Sequence, residues 1–287
     1  MPAIGAAFYE LKDRLQPLYD EREAAAIAHG LIEHITGMSR LGRLTHKDEH
    51  LTDTQTAEYE RVLPLALQGV PMQYITGRAW FMGEEYVVNA NVLIPRPETE
   101  ELVEWIADDH RNAKGPLRIL DAGTGSGCIP IALKKELPWA EVTACDISAG
   151  ALDVARQNAK NLHADVSFMQ VDILNKAAWQ ELGMYDIIVS NPPYIPQAEA
   201  ERLHANVRGH EPWLALFVPD DDALVFYRAL AQMGHTHLTP SGRIYCELDT
   251  DHALQTAALF VQEGYAGVHV RKDIHGNNRM LVAHKAF

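Results

Sequence analysis

A glycine-rich stretch near the middle of the chain has the residue types of a ligand-binding turn. It reads Asp121-Ala122-Gly123-Thr124-Gly125-Ser126-Gly127 and follows the apolar pair Ile119-Leu120. Glycine allows positive φ angles and lets the backbone approach a ligand with no Cβ between them. The N–H groups of a helix beginning near Cys128 can receive an anion. The dinucleotide fingerprint Gly-x-Gly-x-x-Gly would need glycine at position 128, so the stretch predicts a different strand-to-helix binding turn.

Three aspartates follow three successive predicted strands. Asp121 ends the first, Asp146 the second, and Asp172, followed by Ile173, the third. Because ligands of open α/β sheets bind at the carboxyl ends of the strands, we expect the three acids at one site. There Asp146 can accept hydrogen bonds from both ribose hydroxyls and Asp172 from an adenine amino group, while Ile173 covers the ring. With no P-loop lysine and no basic residue placed for a pyrophosphate, the pattern predicts an adenosine site.

A fourth predicted strand ends in the tetrad Asn191-Pro192-Pro193-Tyr194. The apolar run Ile187-Ile188-Val189 brings Asn191 to the rim of the sheet, and the two prolines fix the backbone beyond it. A proline pair alone can simply end a strand. After the glycine loop and the three acids, however, the tetrad indicates a second part of the same site.

The elements that must position these residues begin at Leu117, where predicted strands and helices start to alternate. Alternation at this rhythm is typical of an α/β fold with a doubly wound, mostly parallel sheet and helices on both faces. The strands are predicted at residues 118–120, 142–145, 166–169, 186–189, 243–246, 268–270 and 280–282. The last two lie close together along the chain, which favours an antiparallel hairpin at one edge of a seven-stranded sheet.

The chain before the sheet has a different pattern. Residues 1–70 carry apolar residues at helical spacing and predict a small helical bundle, in which Thr52-Asp53-Thr54 can cap one helix. Residues 71–100 predict a β-hairpin and a Pro-rich connector, with β-forming residues at Tyr74-Ile75-Thr76 and Tyr86-Val87-Val88. The prolines on either side of Arg96 hold the chain extended. The sequence leaves open whether this segment is a plain linker or a lid that touches the site.

Composition narrows the class of protein. Lys and Arg total 25 against 39 Asp and Glu, a net charge of -14 that disfavours stable binding to DNA or RNA. A hydrophobic fraction of 47% excludes disordered and fibrous classes. There is no signal-peptide pattern and no apolar stretch of roughly 18–20 residues, and the three cysteines and the paired histidines fit neither a disulfide framework nor a metal site. We expect a soluble cytoplasmic protein with no metal and no membrane partner.

Taken together, the motifs resemble those of class I S-adenosylmethionine-dependent methyltransferases, and within them the amino-methylating group with an (Asp/Asn)-Pro-Pro-aromatic signature. The chain is similar to the HemK/PrmC family, which methylates a glutamine of peptide chain release factors. The resemblance covers nearly the whole chain. The segments that carry it are Pro71-Met72-Gln73-Tyr74-Ile75-Thr76-Gly77, Leu93-Ile94-Pro95-Arg96-Pro97-Glu98-Thr99-Glu100, Asn191-Pro192-Pro193-Tyr194-Ile195-Pro196, and Glu211-Pro212 followed by Ala215-Leu216.

The resemblance implies a Rossmann-like class I methyltransferase domain over residues 101–287, with residues 1–70 recognising the substrate. It implies methyl transfer from S-adenosylmethionine to the side-chain amide nitrogen of a release-factor glutamine, with S-adenosylhomocysteine as the product. The implied cofactor-binding residues are Asp121, Gly123, Thr124, Gly125, Ser126, Gly127, Asp146, Asp172, Ile173 and Asn191. The implied substrate-binding residues are Asn191, Pro192, Pro193 and Tyr194, of which Asn191 and Pro192 are catalytic.

In this interpretation the Asn191 side-chain oxygen and the Pro192 carbonyl each accept one N–H of the glutamine amide, and Tyr194 walls one face of it. The chain departs from the family after Cys246-Glu247, where the family tends to have glycine soon after the acid, so no role is assigned to Glu247.

Three alternatives remain. One is a methyltransferase for exocyclic amines of nucleic acids, against which the acidity counts. Another is a methyltransferase that acts on a glutamine of a ribosomal protein. It belongs to a sister family that differs around the Pro-Arg-Pro-Glu-Thr-Glu stretch. The third is a non-catalytic adaptor, which would not need the glycine loop or Asn191.

Overall fold

The computed structural model describes residues 1–113 and 115–286. Within them the chain forms two compact units. The first contains Met1–Arg78 and His204–His210, and the second contains Ala79–Leu203 and the described chain from Glu211 onward. The hairpin and the Pro-rich segment before residue 100 therefore pack with the second unit. The functional division of the chain at residues 70 and 100 stays a prediction.

The α-helices within the described residues are, in chain order, α1 (Ile4–Leu15), α2 (Glu21–Thr36), α3 (Arg40–Thr45), α4 (Asp53–Leu67), α5 (Met72–Thr76), α6 (Pro97–His110), α7 (Cys128–Glu136), α8 (Ala149–Asn161), α9 (Ala205–His210), α10 (Trp213–Leu216), α11 (Val225–His237) and α12 (Ala253–Gln262). None of them combines the length and the apolar character that crossing a bilayer requires.

The strands of the described chain are β1 (Arg78–Phe81), β2 (Glu84–Val87), β3 (Arg118–Ala122), β4 (Glu141–Asp146), β5 (Val166–Gln170), β6 (Tyr185–Ser190), β7 (Ile195–Pro196), β8 (Phe217–Val218), β9 (Leu238–Glu247), β10 (Ala266–Lys272) and β11 (Asn278–His284). Strands β1 and β2 form a hairpin, and β7 and β8 form a second small sheet.

The first unit is helical, as the sequence predicts. Leu11, Leu15, Leu31 and Ile32 are wholly buried in its core. Thr52 caps α4 as expected, because its side chain accepts the Gln55 N–H while the Gln55 side chain accepts the Thr52 N–H.

The prediction of a strand at Tyr74-Ile75-Thr76 is wrong, because these residues belong to the short helix α5. Pro71 stands at its N-terminal cap, where the missing N–H costs nothing. Gly77 ends it at φ 72, donating its N–H to the Gln73 carbonyl. These end signals, together with the burial of Ile75, outweigh the β preference of three residues.

The second unit contains the predicted seven-stranded sheet, with the strand order β10-β11-β9-β6-β3-β4-β5. Strands β9, β6, β3, β4 and β5 are mutually parallel, and β10 and β11 form an antiparallel hairpin at one edge. This confirms the mostly parallel α/β fold. Because β3 and β6 are adjacent and parallel, the glycine loop and the tetrad begin at the same edge of the sheet.

Successive residues of the central strands point to opposite faces of the sheet. Leu120 of β3 and Ile188 of β6 belong to the core on one face, with α11 and α12. Ile119 and Ile187 belong to the core on the other face, with α6 and α7. Both faces are thus covered, which explains why these strands are continuously apolar up to the polar residues at their ends.

Candidate functional site

A cavity of about 410 Å³ opens at the carboxyl edge of the sheet. This volume lies in the range of small-molecule sites. Apolar side chains form much of its wall, among them Leu93, Ile129, Leu214 and Phe226. The sequence-predicted residues that line it are Gly123, Thr124, Gly125, Ser126, Asp146, Asp172, Ile173, Asn191 and Pro193.

We call the loop 123–127 with Asp146 and Asp172 the loop side of the cavity. Gly123 and Gly125 take φ values of 79 and 54, and a Cβ built on either would meet no atom within 4 Å. Glycine is therefore required there by the backbone and leaves open space toward the cavity. Gly127 does not line the cavity. A Cβ there would lie 3.0 Å from the Ala155 Cβ, so this glycine allows α8 to pack closely.

Asp146 and Asp172 also shape the backbone around the cavity. Asp146 Oδ2 accepts the Gly125 N–H at 2.8 Å, and its Oδ1 accepts the Ser148 N–H at 2.9 Å. Burial raises the pKa of Asp146, while these hydrogen bonds oppose the rise. Asp172 Oδ1 accepts the Leu174 N–H. Since a carboxylate has about four lone-pair sites, both acids retain acceptor capacity for a ligand.

Asp121 lies beneath the loop and does not line the cavity. It is fully buried, and within the described chain neither of its carboxyl oxygens has a hydrogen-bond partner. Burial raises its pKa to about 7, and the nearby Thr124 hydroxyl opposes the rise without reaching hydrogen-bond geometry. An orphaned buried carboxyl group next to a binding loop is the type of group that a cationic ligand would stabilise.

We call Asn191 with its partners Thr99 and Glu247 the tetrad side. The Asn191 Nδ2 group donates to Thr99 Oγ1 at 3.1 Å, which leaves its Oδ1 atom for another donor. Thr99 Oγ1 in turn donates to Glu247 Oε2 at 2.5 Å. Glu247 and Thr99 are both buried, and burial raises the pKa of Glu247 to about 7.

The Pro-Arg-Pro segment also reaches the cavity, since Pro95 and Arg96 line it. Arg96 is the one cationic side chain among the described lining residues, and it is ion-paired with buried Glu211 at 2.6 Å. Glu211 also accepts the Ile94 N–H. Among the described residues, therefore, the cavity has no unpaired cation to bind a pyrophosphate, in keeping with an uncharged ligand or one that carries a positive centre.

Two members of the tetrad do not line the cavity. Pro192 is buried, and Tyr194 packs against the core on the α11 and α12 face of the sheet. Burial raises the Tyr194 pKa, so its phenol stays protonated. Pro192 is adjacent in the chain to two lining residues, Asn191 and Pro193.

The sequence reasoning missed three residues that hold the site. Thr99 gave no signal of its own. Glu247 did give a signal, because it is an acid at the end of β9, a buried strand next to β6. Asn158 lies on the apolar face of α8, where a buried amide is unusual. Its side chain donates to the Ser126 and Val87 carbonyls and accepts the Val87 N–H, which fixes the glycine loop to β2.

Comparison with known proteins agrees with this geometry. A family model described as methyltransferase small domain matches residues 99–207, and one described as PrmC N-terminal domain matches residues 7–77. Among solved structures, a methyltransferase from Pyrococcus furiosus superimposes with a TM-score of 0.52 at 17% identity, over 82% of this chain and 100% of that one. A likeness at this identity supports the fold alone.

Curated relatives are more informative. A release factor glutamine methyltransferase of Flavobacterium psychrophilum is 39% identical over 93% of this chain and 94% of its own length. Another, of Bacteroides thetaiotaomicron, is 40% identical over 96% of this chain and 98% of its own. Since the identity extends over nearly the full length of both relatives, the chain belongs to the release factor glutamine methyltransferase family.

Proposed function

We propose that the protein transfers a methyl group from S-adenosylmethionine to the side-chain amide nitrogen of a glutamine in a peptide chain release factor. It would thus be a protein-(glutamine-N5) methyltransferase acting in translation termination, with the release factor as its protein substrate in the cytoplasm. Membership of the family supports this activity, and so does the construction of the cavity.

The residues of the loop side suit an adenosine that carries a positive centre. Asp146 and Asp172 have acceptor capacity for hydroxyl and amino groups, and Ile173 offers an apolar surface for a ring. Orphaned Asp121 and the absence of a free cation among the described lining residues favour a cationic ligand without phosphates. S-adenosylmethionine meets these requirements and, when bound, supplies a methyl group activated by a sulfonium.

The residues of the tetrad side suit a neutral amide. An amide nitrogen is a poor nucleophile because its lone pair is delocalised into the carbonyl group. Asn191 Oδ1 and the Pro192 carbonyl would each accept one N–H, which orients the nitrogen and stabilises the positive charge that develops on it. Pro193 keeps the Pro192 carbonyl in a fixed direction. No side chain is assigned as a base, since a nitrogen that has become cationic releases its proton readily.

The observation that carries the proposal is the state of Asn191. Its amide nitrogen is engaged by Thr99, so an acceptor oxygen remains at a cavity that it shares with the glycine loop. An acceptor oxygen that faces this cavity fits an uncharged N–H donor. Neither stable nucleic-acid binding nor a membrane is part of the proposal.

The test incubates the full-length protein with S-adenosylmethionine labelled on its methyl group and, separately, with release factors, ribosomal proteins and RNA. We expect label on one release-factor glutamine, located by peptide mass. A release factor with that glutamine replaced by asparagine should take up none. Label on RNA or on a ribosomal-protein glutamine, with none on a release factor, would contradict the proposal.

A further inference from the structure

We propose that Thr99 and Glu247 are positioning residues that fix which way the Asn191 carboxamide faces, so that its oxygen and not its nitrogen meets the acceptor amide. This inference rests on the proposed function and adds two residues to its machinery. Asn191 can be turned over with little change in shape, because its oxygen and nitrogen are nearly the same size. Only one of the two orientations accepts an N–H of the substrate.

The Thr99 hydroxyl decides between the two orientations. A hydroxyl has one hydrogen to donate, and Thr99 donates it to Glu247 Oε2 at 2.5 Å. Toward Asn191 it can therefore only accept, and it accepts from Nδ2 at 3.1 Å. With Asn191 turned over, two acceptor oxygens would face each other with no hydrogen between them. Such a contact, in a buried place, is strongly unfavourable.

Glu247 sets the direction of this chain of hydrogen bonds. An ionised carboxylate only accepts, so it holds the Thr99 hydrogen in place. Its position is fixed by the sheet, because Cys246 pairs with Ser190 across the parallel strands β9 and β6. Glu247 and Asn191 therefore follow at equivalent places on neighbouring strands. Contacts 92 and 148 residues apart in the chain thus converge on one side-chain orientation.

The protonation of Glu247 gives the inference a second readout. A neutral Glu247 could donate its own proton to Thr99, which would free the Thr99 hydrogen for Asn191 Oδ1. Burial raises the Glu247 pKa to about 7, so this change falls near neutrality. The charged and titratable side chains that face Glu247 are those of Arg279, Glu98, Arg96, Tyr194, Tyr227 and Cys128.

The first experiment replaces the Thr99 hydroxyl with a methyl group. Thr99→Val should lower kcat for glutamine methylation by about 10–100-fold, the usual cost of a misplaced reacting group. Affinity for S-adenosylhomocysteine, measured by calorimetry, should stay within about twofold, since the loop side is untouched. Thr99→Ser retains the hydroxyl and should recover most of the kcat. A residue with a merely structural role would instead change thermal stability and cofactor affinity together.

Thr256→Val is the matched control. Thr256 is also buried, and its hydroxyl donates to the carbonyl of His252, the N-cap residue of α12, away from the cavity lining. It should lose stability comparable to that lost by Thr99→Val and retain full kcat. Thr99→Val with wild-type kcat, or Thr99→Ser as inactive as Thr99→Val, would overturn the inference.

The second experiment is the pH profile of kcat. In the wild type kcat should fall as pH decreases through about 7, the pKa to which burial raises Glu247. Glu247→Gln cannot ionise and should lose this acid limb, whereas Asp153→Asn, at an exposed acid of α8, should retain it. An acid limb that persists in Glu247→Gln would contradict the role of Glu247.

The two proposals can fail separately. If the wild type methylates a release-factor glutamine and Thr99→Val does so equally fast, the inference fails and the function stands. If the wild type methylates a different amine, the proposed function fails, and the same kcat comparison on that acceptor decides the role of Thr99. A wild type that methylates no acceptor contradicts both.

Discussion

The loop side and the tetrad side of the cavity differ in where their parts come from. The loop side depends on contacts between segments that are nearer in the chain, such as the Gly125 N–H to Asp146, 21 residues apart, and the Asn158 amide to the Ser126 carbonyl, 32 residues apart. The tetrad side depends on Thr99 of α6 and Glu247 at the end of β9, which are 148 residues apart and meet because α6 packs against the sheet. Two buried acids have a pKa raised to about 7. Glu247 of the tetrad side is hydrogen-bonded, whereas Asp121, which precedes the loop side in the chain, has no hydrogen-bond partner among the described residues.

This difference suggests that the loop side and the tetrad side have different roles. In the proposed function, the backbone amides and strand-end acids of the loop side bind the cofactor. Orienting one neutral amide requires a side chain whose own orientation is fixed by partners from distant segments. The two sides should therefore respond to substitution in separate ways, with affinity lost on one and turnover lost on the other.

The largest expected effect is on the tetrad side. Asn191→Ala should reduce kcat by at least about 10²–10³-fold, the scale for removing one preorganised hydrogen-bonding group, while cofactor affinity stays nearly unchanged. Initial rates and calorimetry on the same preparation check both. Asn161→Ala, an exposed residue at the end of α8, is the control and should be fully active. A substantially active Asn191→Ala would contradict the acceptor assignment.

Asp121→Asn tests whether the orphaned acid costs stability. Burial raises the pKa of Asp121 from 3.8 to about 7 in the folded protein, so the folded state keeps a proton that the unfolded state releases. The contribution of protonated Asp121 to the free energy of unfolding is fully present below pH 3.8 and is lost as the pH rises to about 7. The loss amounts to roughly 4 kcal/mol at 1.36 kcal/mol per pKa unit.

The unfolding free energy of the variant should consequently fall less than that of the wild type between pH 3.8 and about pH 7. Urea denaturation at several pH values measures this. Parallel curves for the two proteins would mean that Asp121 is not strained in the folded state.

Asp146→Ala should weaken cofactor binding by about 1.5–3 kcal/mol, the range for hydrogen bonds to a charged group, and should leave kcat at saturating cofactor less affected. Calorimetry with S-adenosylhomocysteine measures the loss. Asp153→Ala is the control, because it removes an exposed acid of α8 from a surface ion pair with Arg156, and such pairs contribute little. Unchanged affinity in Asp146→Ala would mean that the ribose is held elsewhere.

The smallest effect is expected for Gly125→Ala compared with Gly264→Ala. Both glycines have positive φ and open space at the Cβ position, so each alanine should cost about 1 kcal/mol of stability. Only Gly125 lines the cavity, so only Gly125→Ala should also weaken cofactor binding, by about 1 kcal/mol. Equal affinities in the two variants would indicate that the ligand does not approach the loop.

The sequence predicts where the residues of the loop side lie, because their signals are local. Asp121 and Asp146 directly follow apolar residues at the end of a strand, and Asp172 comes two residues after the end of β5. A strand that ends close to an acid can be recognised without knowing the fold. The edge hairpin was predictable for the same reason, since β10 and β11 are close along the chain. The helix α5 was missed because its end signals, Pro71 and Gly77, conflicted with the β preference of the residues between them.

The tetrad side was only half predictable. Asn191 and its prolines form a contiguous motif, but no spacing in the chain relates Asn191 to Thr99 or Glu247. Their meeting follows from the order of strands in the sheet, which brings β6 next to β9, and from the packing of α6 against it. Tyr194 is a different case. The motif identified this residue, but the motif alone could not predict that its ring packs against the core.

Asn158 ties segments of the second unit together in a way that bears on their motion. Its one side chain satisfies backbone groups of both Ser126 in the glycine loop and Val87 in the hairpin. Buried backbone groups are seldom left unpaired. If either segment moved away and displaced the Asn158 side chain, the backbone groups of the other segment would lose their hydrogen-bond partner as well. We therefore expect the glycine loop and the hairpin to unfold locally as one cooperative unit. A ligand that stabilises the loop should then also reduce local unfolding of β2, which it does not contact.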